Sequence, residues 1–359
     1  MKLSTEPIGS IPRTAALINA MSSAGTGELK KLYEKAVTDT LKEFENTGSP
    51  VVTDGEQSKP SFLTYPLHGL TNLKGGGVRI DFADGHFREL PVLTGGPFRY
   101  AGYADQFVRY ARSHTQLPVK QAVISASAIS LIYPAGGIEG YSRSEFLNDV
   151  VNECEKDIRL CLEAGAYKVQ MDFTEGRLSL KLDPSGGVLK QFIDLNNQVL
   201  NRFSDEERKR LGVHVCPGGD HDSTHSADVD YTEFLPALFE LNAGNFYLQL
   251  ASEPDRKKVL KTISEYMRPD QKIFIGVTDV LNPSVESPEV VRDRILEAAD
   301  YIPVDQLGST DDCGFSPFCD DISTTRETAF AKIRARVEGT KLAEQVLSVE
   351  SEVNPSHTL

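Results

Sequence analysis

The sequence of 359 residues contains no tryptophan, only five cysteines and only four methionines. An odd, sparse set of cysteines in so long a chain does not suit a disulfide framework, so we expect reduced thiols that are available for packing or metal binding. Apolar runs of the roughly 18 residues that span a bilayer are also missing. The first residues lack the apolar stretch of a signal peptide. These absences predict a cytoplasmic protein that does not act on a membrane.

Blocks of basic residues are absent as well. Acidic residues outnumber basic ones by 52 to 38, which gives a formal net charge of −14. An acidic surface repels phosphate backbones and anionic lipids, so neither nucleic acid nor a membrane surface is an expected partner. The proportions of hydrophobic residues, 40%, and charged residues, 25%, are those of an ordinary globular protein.

Short apolar, β-branched runs alternate with longer helical patterns along almost the whole chain. One helix start is clear at Ser142, because Glu145 follows three residues later as in a capping box. Strands that alternate with helices pair in parallel, and eight such units close into a (β/α)8 TIM barrel at about this length. We therefore predict an α/β fold of this type. Its strands are expected at about residues 6–9, 50–53, 118–123, 167–171, 213–216, 245–250, 272–277 and 306–308.

The same alternation predicts a single catalytic barrel over residues 1–349, followed by a polar tail over residues 350–359. The stretch at about 77–93 departs from it, because alternating residues flank Asp84-Gly85. An Asp-Gly pair between alternating residues is typical of a tight β-turn. We expect a β-hairpin there, inserted after the second strand.

Chemically active side chains follow the predicted strands, and in such barrels the active site lies at the carboxyl ends of the strands. His214 and Cys216 alternate on one strand, so both project to the same side. Cys313 follows the last strand. An imidazole and thiolates that meet at one point suit zinc or another borderline-soft metal. The sequence therefore predicts a zinc site at His214, Cys216 and Cys313.

Several short motifs occur in the order of one known family. They are Gly9-Ser10-Ile11-Pro12, Gly55-Glu56, Asp172, His214-Val215-Cys216 and Asp312-Cys313-Gly314. On these residues, and over nearly its whole length, the chain resembles the C-terminal catalytic barrel of cobalamin-independent methionine synthase and the short single-barrel relatives of that enzyme. Uroporphyrinogen decarboxylase belongs to the same superfamily.

The resemblance implies a zinc-dependent thiol alkyltransferase, an S-methyltransferase that forms methionine from homocysteine through a zinc-bound thiolate. It implies that His214, Cys216, Cys313 and a Glu after strand six hold the zinc. Glu253 is the best match for that Glu, and Gln249 is the competitor. The residues implied to hold the amino-acid end of homocysteine are Ile8, Gly9, Ser10, Glu56 and Asp172.

Two departures from the family concern the methyl donor. The family stacks a Trp near the folate, whereas the equivalent stretch here, residues 129–134, has none. The family's proposed catalytic His after strand seven is replaced by Leu281. The donor therefore stays open between methyltetrahydrofolate, a methylated corrinoid protein and an epoxide. The acceptor stays open between homocysteine and a different thiol. His221 and His225, in the polar loop after strand five, are the candidate proton donors in place of the missing His.

Three other functions stay open at this stage. A metal-free decarboxylase of the uroporphyrinogen type would share the barrel without needing the three metal ligands together. A metal-dependent hydrolase would need more His and bridging carboxylates at the strand ends than the sequence contains. A structural metal site would be closed by four protein ligands, which the acidic pocket residues argue against.

Overall fold

A computed structural model describes residues 2–23 and 25–353. None of the helices in this part of the chain combines the length and apolarity needed to cross a membrane. The strands are β1 (Ser4–Thr5), β2 (Leu73–Lys74), β3 (Arg79–Asp81), β4 (Phe87–Glu89), β5 (Val92–Leu93), β6 (Lys120–Ile124), β7 (Lys168–Asp172), β8 (Leu211–Val215), β9 (Gly219–Asp220), β10 (Ser223–Thr224), β11 (Asn245–Leu248), β12 (Lys272–Gly276) and β13 (Leu307–Thr310).

Helices connect and flank these strands, and a short 3-10 helix lies at Tyr65–Leu67. The α-helices are α1 (Ala15–Ser23), α2 (Thr26–Asn46), α3 (Asp105–Arg112), α4 (Ala126–Ser130), α5 (Arg143–Glu163), α6 (Glu175–Leu182), α7 (Gly187–Leu200), α8 (Asp205–Arg208), α9 (Tyr231–Leu238), α10 (Arg256–Tyr266), α11 (Pro288–Ala299) and α12 (Arg326–Val353).

The main sheet contains seven strands in the order β1-β13-β12-β11-β8-β7-β6. Every neighbouring pair is parallel, as the alternation of strands and helices predicts. Beyond β6 the sheet continues only as one parallel bridge between Val52 and Val119. Strands β6, β7, β8, β11 and β13 are buried at every residue, as is usual for a parallel sheet that is covered on both faces.

The strand predictions differ from the structure mainly at the first two positions. The first strand is Ser4–Thr5 and not residues 6–9. Its pairing with β13 ends after the Glu6 amide donates to the Ser309 carbonyl. The predicted strand at 50–53 is reduced to the bridge between Val52 and Val119, next to Pro118, which lacks an amide hydrogen to donate.

Helix boundaries follow the sequence signals more closely. Ser142 and Glu145 form the predicted capping box at the start of α5. The closing helix α12 runs to Val353 and so enters the predicted polar tail. Its extension is supported by Ala343 and Leu347, four residues apart, which are both buried in the core. Residues 354–359, the remainder of that tail, lie outside the described residues.

Two antiparallel pairs of strands lie at the carboxyl ends of the main sheet. Strands β3 and β4 pair at residues 79–89, within the segment where the hairpin was expected. Strands β9 and β10 pair in the loop after β8. The two pairs are joined, because the Ala83 amide donates to the Thr224 carbonyl at 3.0 Å. This arrangement puts a covering layer over the strand ends that carry the predicted site.

Candidate metal centre and active site

Three predicted metal ligands meet at the carboxyl ends of β8 and β13. Within the described residues, one imidazole nitrogen of His214 and the sulfurs of Cys216 and Cys313 all lie within 4.8 Å of one another. The two sulfurs are 3.1 Å apart and are not bonded as a disulfide. His214 and Cys216 are on one face of the chain because residues two apart in a strand point the same way. A nitrogen and two sulfurs form a donor set that suits zinc.

The His214 ring is oriented for a ligand at Nε2. Its Nδ1 lies 3.2 Å from the Tyr247 carbonyl oxygen, whereas the buried Nε2 has no hydrogen-bond partner. A backbone carbonyl on one ring nitrogen is the usual way to fix the other nitrogen for a metal. An orphaned polar atom inside the protein is costly unless something binds it. The residues present therefore fit a metal ion at this point.

Electrostatics at the two cysteines favour one thiolate. The thiol of Cys313 donates to the Cys216 sulfur, which holds the pKa of Cys216 well below its usual value, and His214 adds to the effect. Burial lowers the pKa of His214, but the charge and hydrogen bond of Cys216, the charge of Asp172 and the Tyr247 carbonyl together outweigh burial and raise it. A low pKa favours the thiolate, and the thiolate is the form that binds a metal.

The expected fourth ligand, Glu253, does not join the three. Its Oε1 accepts a hydrogen bond of 2.7 Å from Arg177 Nη1, and both side chains are buried. Arg177 also donates to the carbonyls of Ala227 and Val229, so the pair ties two loops together. The geometry thus gives Glu253 an ion-pair role, because a guanidinium already satisfies its carboxylate.

Gln249 is better placed than Glu253. Strands β11 and β8 pair Tyr247 with His214 and Leu248 with Val215, so Gln249 follows in register with Cys216. Alternation puts Gln249 on the face that Tyr247 and Asn245 share. Its Nε2 donates to Ser252 at 2.7 Å, while its buried Oε1 has no partner. The amide oxygen is therefore a second orphaned ligand atom at this end of the sheet.

One cavity contains most of the predicted site. His214, Cys216 and Cys313 line it, together with the predicted substrate-binding residues Ile8, Ser10, Glu56 and Asp172. Glu56 and Asp172 are both buried, but their carboxylate oxygens differ in hydrogen bonding. Oδ1 of Asp172 accepts from Gln170 at 2.8 Å, whereas Oε2 of Glu56 has no hydrogen-bond partner.

Glu56 and Asp172 have little positive charge close to them. Burial and the charge of Asp172 raise the pKa of Glu56 to about 7, although Lys59 opposes both. The Lys59 ammonium is 4.0 Å from Glu56 and donates to the Ala122 carbonyl instead. Two buried carboxyl groups that share a single lysine at this distance are suited to bind a ligand ammonium.

The segment at residues 8–10 lies directly against this pair. A Cβ atom added to Gly9 would be 3.0 Å from Oε1 of Glu56, so a glycine allows the close approach. The Ser10 Oγ accepts from the Ser316 amide at 3.2 Å, which leaves its hydroxyl hydrogen available. Ile8 contributes an apolar contact in the cavity wall.

The hairpin of β3 and β4 forms the roof of the cavity. Ile80, Phe82 and Leu90 line it, and so does Arg88. Arg88 donates to Asp220 in the loop after β8 at 2.5 and 3.1 Å, and to Asp320 in the loop after β13 at 3.0 and 2.8 Å. This guanidinium therefore bridges the hairpin to two loops, in addition to the Ala83–Thr224 and His86–Asp220 contacts with the loop after β8.

The two histidines expected as proton donors lie in different surroundings. His225 lines the cavity, but burial lowers its pKa to about 4, so the ring is neutral near pH 7. His221 does not line the cavity, and its Nε2 is 3.2 Å from Arg88. Its backbone has a positive φ of 47° and its amide donates to Asp321. His225 is thus uncharged near pH 7, and His221 lies outside the cavity that the metal ligands line.

Sequence reasoning did not identify Glu175, Arg177 or Arg88. Glu175 lines the cavity, and Arg88 and Arg177 hold the loops around it. A signal existed for Glu175, because an acidic residue three positions after Asp172 belongs to the same strand end. No local pattern marks the two arginines, since their partners are more than 50 residues away in sequence.

Comparison with known sequences identifies one family. The sequence model described as "Cobalamin-independent synthase, Catalytic domain" matches residues 3–341. A methionine synthase of Sulfurisphaera tokodaii is 24% identical over 352 residues, which cover 96% of this chain and 94% of that protein. A methionine synthase of Thermococcus kodakarensis is 23% identical over 359 residues, with 98% and 96% covered.

Comparison with solved structures supports the fold. A B12-independent methionine synthase from Shewanella sp. W3-18-1, in complex with selenomethionine, superimposes with a TM-score of 0.76 at 19% identity, covering 97% of this chain and 100% of that one. A putative vitamin-B12 independent methionine synthase from Listeria monocytogenes gives a TM-score of 0.69 at 20% identity, with 95% and 98% covered.

Proposed function

Because this chain belongs to the cobalamin-independent methionine synthase family, in its catalytic-domain part, we propose that it transfers a methyl group to the sulfur of homocysteine. We propose zinc as its metal, held by His214, Cys216 and Cys313. The observation that carries the proposal is the meeting of these three ligand atoms within 4.8 Å, in a cavity that also contains Glu56 and Asp172. When bound there, zinc would deprotonate the substrate thiol and so supply the nucleophile.

The chain's own residues account for the amino-acid end of the substrate. Glu56 and Asp172 bind the ammonium, and each such charge-assisted contact contributes roughly 1.5–3 kcal/mol. The hydroxyl of Ser10 and the backbone near Gly9 receive the carboxylate, beside the apolar side chain of Ile8. These contacts hold the thiol end toward the metal ligands, so a thiol without the amino-acid group should bind much more weakly.

For the fourth metal position we propose the amide oxygen of Gln249 in place of Glu253. Two supports are the register of Gln249 with Cys216 and its unpartnered buried oxygen. A neutral oxygen is a weaker ligand than a carboxylate, so a substrate sulfur can replace it easily. The competing role of Glu253 as a ligand would require its ion pair with Arg177 to break.

The reducing cytoplasm is the compartment that we propose, because both sulfurs must stay reduced to bind the metal. For the donor we favour a small molecule such as methyltetrahydrofolate over a methylated corrinoid protein. The support is the hairpin roof, which Arg88 fastens to two other loops above the cavity. A protein-bound corrinoid would need that roof to be displaced.

The test is metal analysis of the purified protein combined with X-ray absorption. We expect about one zinc per chain, and an added sulfur ligand when homocysteine is bound. Cys216→Ala should lose the zinc, whereas Cys319→Ala should keep it, because Cys319 lies outside the three-residue group. A wild-type protein without metal, or equal zinc content in the two variants, would refute the proposal.

A further inference from the structure

Asp312 is a buried acidic residue that the proposed function does not use. It lies two residues after β13. Its Oδ1 accepts hydrogen bonds from the amides of Leu250, at 2.9 Å, and Ala251, at 2.8 Å. Its Oδ2 accepts from the amide of Ser252 at 2.8 Å and from the hydroxyl of the same residue at 2.7 Å. One carboxylate therefore holds the whole turn at residues 250–252, after β11.

The carboxylate and the turn follow strands that are not neighbours, because β12 lies between β11 and β13 in the sheet. The Asp312 side chain reaches the turn across the end of β12. There, a Cβ atom added to Gly276 would be 1.9 Å from Oδ1 of Asp312, so a side chain at this position would occupy the place of the carboxylate. The Asp312 amide donates to the Thr278 carbonyl at 3.0 Å, which fixes its backbone as well. The contact is thus a specific connection between the strand ends that carry Cys313 and Gln249.

Ser252 connects this carboxylate to Gln249. The Ser252 hydroxyl donates to Asp312 and accepts a hydrogen bond of 2.7 Å from Nε2 of Gln249. A hydroxyl has one hydrogen, and a carboxylate can only accept. Because the hydrogen of Ser252 is committed to Asp312, only a donor can face the Ser252 oxygen from the other side. The amide of Gln249 therefore has to turn its NH2 group toward Ser252.

This orientation puts the amide oxygen of Gln249 at the opposite end of the group. The oxygen is buried, and it has no hydrogen-bond partner among the described residues. In the strand register Gln249 follows level with Cys216. An amide that could rotate would present its NH2 group to a metal for part of the time, and that group is a donor and not a ligand. A hydrogen bond that removes the unproductive orientation strengthens metal binding.

From these contacts we propose that Asp312 and Ser252 are positioning residues that act through Gln249 and keep its amide oxygen turned toward the metal. We call this chain of hydrogen bonds the Asp312–Ser252 relay. The inference rests on the proposed function, in which the substrate sulfur replaces Gln249 at the metal. A carboxylate at position 249 could not make the same contact, since it has no hydrogen to donate to Ser252.

The relay acts on one state of the metal site. It strengthens zinc binding only while Gln249 is a ligand, which is before homocysteine binds. Loss of the relay should therefore weaken zinc binding to the free protein and leave zinc binding to the homocysteine complex nearly unchanged. Because coupling between two bound ligands is reciprocal, homocysteine should then bind the zinc-loaded variant more tightly, by the same factor. A structural defect in the site would instead weaken the binding of both ligands.

Ser252→Ala tests the relay. The side chain is exposed, so its loss leaves no buried cavity, and the three amide contacts to Asp312 remain. Chelator competition should show zinc affinity lower by roughly 10-fold or more, the usual cost of losing an outer-shell partner. Calorimetry on the zinc-loaded protein should show homocysteine affinity higher by a similar factor. Ser252→Thr retains the hydroxyl and should match the wild type in both measurements.

Ser323→Ala is the matched control. The Ser323 hydroxyl donates to Oδ1 of Asp321 at 2.7 Å, and the Ser323 amide donates to the same oxygen at 3.0 Å. This exposed serine reproduces the contact between serine and carboxylate in the loop after β13, but it is not hydrogen-bonded to a proposed metal ligand. Zinc and homocysteine affinities should both stay the same in this variant.

A double variant tests whether the relay acts through Gln249. Gln249→Ala combined with Ser252→Ala should bind zinc about as tightly as Gln249→Ala alone, because a positioning residue has no effect once the group that it positions is missing. Two independent sites would instead give losses that multiply.

Three results would overturn the inference while leaving the proposed function intact. The first is unchanged zinc affinity in Ser252→Ala. The second is a fall in zinc affinity without tighter homocysteine binding. The third is a double variant in which the two losses multiply. Failure of the zinc and sulfur measurements on the wild type would instead refute the proposed function, and the inference with it.

Discussion

Replacing Arg88 with Ala should release the hairpin of β3 and β4 from the loops that it contacts. The side chain of Asp220 is fully buried, whereas 53% of the Asp320 side chain is exposed. Removing one partner of a buried ion pair costs roughly 3–5 kcal/mol, and the exposed pair adds at most about 1 kcal/mol. Because His86 also contacts Asp220, at 3.1 Å, we take the lower end, about 3 kcal/mol.

Hydrogen exchange of the hairpin amides measures this change. A loss of about 3 kcal/mol corresponds to a roughly 100-fold faster exchange over residues 79–89 if the hairpin opens locally. Arg79→Ala is the control on the same hairpin, because Arg79 pairs only with the exposed Asp81 and stacks on Phe87. Zinc content should stay the same in both variants. Equal exchange rates in the two variants would refute the role given to Arg88.

Three further outcomes follow from the site and the fold. Gln249→Ala should weaken zinc binding by at least roughly 10- to 100-fold, the cost of losing an outer-shell partner, as measured by chelator competition. Glu253→Gln should leave zinc binding unchanged. Weaker zinc binding in Glu253→Gln than in Gln249→Ala would favour Glu253 as the ligand. Homocysteine affinity, measured by calorimetry, should rise from pH 6 to pH 8, because Glu56 has a pKa raised to about 7 and binds ammonium only when ionised; Glu56→Gln should remove this rise. Ser142→Ala should lower the free energy of unfolding in urea by about 1 kcal/mol through loss of the capping box, and an unchanged midpoint would contradict it.

Much of the site was predictable because it depends on local rules. The alternation of side chains along β8 brings His214 and Cys216 to one side, and the parallel order brings Cys313 to the same end of the sheet. Both facts follow once the strands are assigned, and the apolar runs of the sequence are enough to assign them. The capping box at Ser142 is likewise a local pattern, since its two residues are three positions apart.

The remaining features depend on contacts between distant segments. Glu253 matches a ligand by its position after β11, yet Arg177, 76 residues earlier, takes its carboxylate. The burial of Glu175 against Ser125 and Ser127 likewise joins distant segments, and no sequence pattern displays it. The pairing limit at Val52 was visible in principle, because Pro118 lacks an amide hydrogen.

The depth of the cavity determines the sequence of events in the proposed reaction. Glu56, Asp172 and the three metal ligands lie at the strand ends, and the hairpin lies across the space above them. An acceptor bound at that depth has to arrive before the donor, and its methylated product leaves after the spent donor has departed. Turnover then has a compulsory order of addition and release. An unreactive donor analogue should accordingly trap the bound acceptor and slow its dissociation.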